Sequence, residues 1–171
     1  MNFELIGVIK WIKLGIIIFL AVIMIVFMSA CIVFYLYPTP GLKWMEEDFQ
    51  QNKELLYVVK DFLVERESGV FIRGHEFDDS MLVGDKPIDK KTIYAMNELF
   101  HQGYRIIRSN GKWIVFQIWA TRNQARGLVY SIDGSIPDES MLQCLVHLEP
   151  LSEDGWYFYI DDYKEWMRRN S

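Results

Sequence analysis

Tyr104-Arg105-Ile106-Ile107-Arg108-Ser109-Asn110-Gly111-Lys112-Trp113-Ile114-Val115-Phe116-Gln117-Ile118-Trp119 is two runs of β-branched and aromatic residues joined by Asn-Gly. Such a pair of runs predicts a β-hairpin, because Asn-Gly suits the two positive-φ centres of a type I′ turn. With that turn, Ile107 faces Ile114 and Arg105 faces Phe116 on one side of the ribbon. Ile106 faces Val115 and Arg108 faces Trp113 on the other. Three more strands are predicted downstream, at 128–131, 142–148 and 156–160. Asp133-Gly134-Ser135 with Pro137, and Ser152-Glu153-Asp154-Gly155, supply the turns between them.

Upstream, the period changes. Trp44, Met45, Phe49, Leu55, Leu56, Val59, Phe62 and Leu63 recur at helical spacing, and the pattern ends at Ser68-Gly69. Val70-Phe71-Ile72 reads as a short strand. A second helix follows Pro87, with Asp89 as N-cap and Gly103 at its end. A last helix is capped by Asp162, with Glu165 at the capping-box position and Tyr163, Trp166 and Met167 in a stripe. Helices first and hairpin-linked strands later define an α+β domain: a mainly antiparallel hairpin-and-meander sheet carrying two to three helices.

The apolar share is uneven. Of 171 residues 51% are hydrophobic and 24% charged, but Leu14 to Tyr37 is a run of 24 residues without a charge. As a helix that run would be about 36 Å long, against a hydrocarbon core of roughly 30 Å. Lys10, Trp11 and Lys13 precede it, Tyr35 and Tyr37 close it, and Pro38-Thr39-Pro40-Gly41 stops it. The expected layout is a short cytoplasmic N-terminus (1–13), a transmembrane helix (14–37), a linker (38–41) and an extracytoplasmic domain (42–171). That is a single-pass protein of a bacterial inner membrane. Met28-Ser29-Ala30-Cys31 resembles a bacterial lipoprotein signal, which implies lipidation at Cys31 as the alternative anchor.

The formal net charge of -5 and the absence of a Lys/Arg cluster argue against a sequence-independent nucleic-acid binder. No phosphate loop, dinucleotide fingerprint, nucleophile elbow or H-E-x-x-H is present. His75, Glu76, Asp78 and Asp79 are residue types a metal would take, but their spacing matches no ligand pattern, and a strand running into an acidic loop accounts for them. Cys144 and His147 stand three apart on a predicted strand, hence on opposite faces. No catalytic residue and no cofactor is named by the sequence.

What remains is aromatic. Tyr104, Arg108, Trp113 and Trp119 share one predicted hairpin face, and Tyr, Trp and Arg concentrate binding energy at interfaces. The expectation is a non-catalytic protein-interaction module of the cell envelope, of immunity or accessory-subunit type, with the membrane contacted through 14–37 and a protein as partner. The alternatives are a ligand or glycan sensor using the aromatic face, and a hydrolase-like enzyme using His75 to Asp79.

Overall fold

The computed structural model describes residues 15–29, 39–66, 69–73, 87–138 and 142–171. They divide into two compact units, 1–39 and 40–171.

In the first unit one helix, α1, covers 15–29, and its side chains are exposed. Among the described residues no helix is long and apolar enough to cross a membrane. This overturns the expected transmembrane helix at 14–37, and with it the single-pass topology and the inner-membrane location with an extracytoplasmic domain. Lys10, Trp11, Lys13, Cys31, Tyr35 and Tyr37 lie outside the described residues.

The second unit is an α+β domain. In chain order come α2 (Leu42–Val64), β1 (Val70–Arg73), α3 (Lys90–His101), β2 (Ile106–Ser109), β3 (Trp113–Ala120), β4 (Gln124–Ser131), β5 (Leu145–Pro150), β6 (Trp156–Asp162) and α4 (Tyr163–Asn170). The strands form one six-stranded antiparallel sheet in the order β1-β2-β3-β4-β6-β5. The predicted meander is therefore broken once, because β6 enters between β4 and β5. Trp156 and Phe158 are buried on one face of β6 and Tyr159 on the other, a two-sided demand that only an interior strand meets, whereas β5 is half-buried along most of its length and takes the edge.

α2 and α3 cover one face of the sheet. Met45, Phe49, Leu56, Val59 and Leu63 of α2 and Met96, Leu99 and Phe100 of α3 pack on Ile107, Ile114, Phe116, Leu128, Trp156 and Phe158. Trp156 is the centre of this layer, with ring centroids 5.0 Å from Phe49, 5.6 Å from Phe116 and 5.2 Å from Tyr130. Asp89 caps α3 by accepting hydrogen bonds from the Thr92 amide at 3.0 Å and hydroxyl at 2.6 Å. At the other end Gly103, with φ of 101°, closes a Schellman turn in which the Tyr104 amide donates to Leu99 O at 3.0 Å.

The hairpin forms with a different turn. No non-glycine residue among those described has positive φ, so Asn110 does not take the first centre of a type I′ turn. Gly111, at φ 86°, takes that place instead, and Gly111-Lys112 become the two central residues, as in type II′. The Asn110 side chain then accepts from the Lys112 and Trp113 amides at 3.0 and 2.9 Å. Pairing moves by two residues, to Ile107 with Phe116 and Arg108 with Val115. A two-residue shift leaves the paired residues 106–109 and 114–117 on their predicted faces.

Candidate functional site

The far face of the sheet, opposite α2 and α3, is built differently at its two ends. At one end Trp113, Val115, Val129, Tyr159 and Leu142 form a second, smaller apolar cluster. The 132–138 segment folds over it: Ser135 O accepts from Trp113 Nε1 at 3.4 Å and from the Ser131 hydroxyl at 2.6 Å. The C-terminal helix does not provide this cover. α4 buries none of its residues and is tied to the β5 edge, where Arg169 Nη1 donates to Val146 O at 3.0 Å.

At the other end the face is hollow. Ala125 stands opposite Ala120 and Asp161, and Gly127 stands between Gln117 and Tyr159. These positions carry a methyl group or nothing. Gly127 has no alternative, since a Cβ there would lie 2.1 Å from the Phe116 carbonyl oxygen, where β3 bulges between Gln117 and Trp119. The result is a pocket of about 370 Å³, walled by Arg108, Gln117, Asp161, Gln143 and Cys144 with the 121–124 turn and Tyr163 at its rim.

Its charges lack partners. Arg108 Nε, Asp161 Oδ1 and the Tyr159 hydroxyl are sealed from solvent without a hydrogen bond. Burial raises the Asp161 carboxyl to about 6, against an opposing pull from Arg108. Tyr159 is raised for the same reason, with Asp161 adding to the effect. Such perturbed groups gathered in a cleft mark candidate sites.

The structure separates the four residues singled out on the hairpin. Arg108 and Trp113 are on the far face, at the pocket and under the 132–138 cover respectively. Tyr104 is swung by the Gly103 turn into the helix-covered core, where its hydroxyl donates to Asp48 Oδ2 at 2.5 Å, with Asn52 Nδ2 donating to Asp48 Oδ1 at 3.1 Å. Trp119 is moved to the helix-covered face by the bulge. It packs there beside Arg126, whose guanidinium carbon lies 5.5 Å from its ring and whose Nη1 donates to Pro40 O at 2.7 Å. Cys144 lines the pocket, while His147 meets Phe158 edge-on at 5.9 Å and Glu149 Oε2 at 3.2 Å. His75, Glu76, Asp78 and Asp79 lie outside the described residues.

From sequence, Asp161 is only one of four carboxylates, with Glu153, Asp154 and Asp162, that could serve the hydrolase-like alternative beside His75 to Asp79, and nothing there pairs it with Arg108. Its signal was there in the alternation Tyr157, Tyr159, Asp161, which sets a carboxylate at the end of an otherwise buried stripe.

The pocket lies on the helix-free face of an α+β domain. The chain matches no protein-family model, no curated protein and no solved structure.

Proposed function

We propose that residues 40–171 form a non-catalytic protein-interaction module whose partner meets the far face of the sheet. The observation that supports this reading is the pocket around Arg108, an arginine with an unpaired Nε on the face that the helices leave open. Exposed apolar side chains accompany it: Phe71, cross-strand neighbour of Arg108, is 63% exposed, and Tyr163 at the pocket rim is 52% exposed. Arginine and tyrosine ringed by apolar contacts are the composition of an interface hot spot. A pocketed arginine that makes no internal bond is positioned to meet an acceptor on a partner.

The test is cross-linked capture by the tagged full chain, comparing wild type with a Phe71→Asp, Tyr163→Ala variant and with Tyr94→Ala. Tyr94 is equally exposed, at 62%, but lies on α3. A partner retained by wild type and Tyr94→Ala and lost from the double variant is the expected result. A partner lost only with Tyr94→Ala moves the interface to the helices and refutes the assignment.

A further inference from the structure

Besides the exposed Arg122 of the 121–124 turn, the pocket beside Asp161 holds two opposite, half-buried charges that form no ion pair with each other. Arg108 and Asp161 line the same 370 Å³ hollow, yet they form no ion pair with one another among the described residues. Arg108 Nε and Asp161 Oδ1 are each buried without a hydrogen bond, and so is the Tyr159 hydroxyl, two residues from Asp161 on the same side of β6. Both charged residues also line the hollow, so a ligand there meets two opposite charges that no ion pair within the fold neutralises.

The chemistry of that ligand follows from what each charge would accept. An anion matched to Arg108 is repelled by the Asp161 carboxylate, and a cation matched to Asp161 is repelled by Arg108. Only a group carrying both charges close together satisfies the two at once. A guanidinium takes a carboxylate through parallel hydrogen bonds, and a carboxylate takes an ammonium. Size narrows the class further, since ligand sites run from about 300 to 1,000 Å³ and this one is near the small end. The walls add Gln117 and Gln143, amide groups able to donate or accept, and Tyr163 at the mouth.

We propose that this pocket binds a small zwitterion of the α-amino-acid class, its carboxylate on the Arg108 guanidinium and its ammonium on the Asp161 carboxylate. Ala125, whose methyl group lines the hollow opposite Asp161, is the specificity-determining small residue: a larger side chain there would fill the space beside the two charged groups. The inference does not rest on a protein partner, and the two readings fail separately, one by capture and the other by calorimetry.

The experiment is isothermal titration of the full chain with each of the standard L-amino acids. Any binder is then compared with its N-acetyl and C-amide derivatives, and with acetate and methylammonium. At least one free amino acid binds, with a Kd of about 1 mM or tighter. Blocking either end weakens it by about tenfold or more, and the singly charged probes give no saturable heat. Arg108→Gln and Asp161→Asn each weaken it by about tenfold or more while the thermal transition stays cooperative. No binding by any of the amino acids overturns the proposal. So does equal affinity for free and blocked ligands, a result that needs no variant and stands even where a variant fails to fold.

Discussion

Asp161 and Asp48 carry charges that their surroundings disfavour, and the consequence is a pH dependence with a definite sign. Burial raises the folded-state pKa of Asp161 to about 6 from the ordinary 3.8, with Arg108 offsetting part of the rise. Stability from that raised pKa is fully present below pH 3.8 and is lost as pH climbs through about 6. Asp161→Asn should therefore stabilise the protein at about pH 7.5 by roughly 1–2 kcal/mol, discounted for partial exposure, and change little at about pH 3.5. Urea unfolding at both values checks this; equal effects at the two would show the carboxyl is solvated. Asp48 is also raised by burial, against hydrogen bonds from Tyr104 and Asn52 that hold it down. Tyr104→Phe removes the hydroxyl that bonds Asp48 and should cost about 1–3 kcal/mol, read from the urea midpoint at neutral pH.

The β3–β4 pair shows how one backbone irregularity redirects side chains. The bulge between Gln117 and Trp119 sends Trp119 to the helix-covered face, so a strict alternation counted from Trp113 misplaces it. Gly127 is the condition for that bulge, and Gly127→Ala should destabilise by about 3 kcal/mol or more, because the contact at 2.1 Å is with backbone that has no rotamer to give. Ala125→Gly, two residues away on the same face, should cost about 1 kcal/mol. Similar losses for the two would remove the close approach as the cause. Trp113→Ala belongs with core truncations, at about 3–5 kcal/mol, since Trp113 is buried beneath Ser135. A cost under about 1 kcal/mol would place it at the surface.

Across the domain, the large apolar layer draws its residues from Met45 to Phe158, all within 40–171. Residues 40–171 expressed alone should unfold in a single cooperative transition, with coincident fluorescence and far-ultraviolet curves; separated curves would show that this core is incomplete. Much of that layer was legible beforehand. Helical spacing marks α2 and α3, Asp89 and Gly103 bound α3, and Ile107, Ile114, Phe116 and Ile118 fall on the buried side of the hairpin because period-two alternation survives a two-residue slip in register. The α+β class follows from these local patterns, which depend on nearest neighbours along the chain. Strand order, the bulge, the cover over Trp113 and the pocket are of another kind. Asp161 lines the same pocket as Arg108 only because β6 inserts beside β4. Local periodicity is written in adjacent residues, whereas which residues 53 apart in sequence come to line one pocket, as Arg108 and Asp161 do, is decided by which strands find each other in the packed sheet.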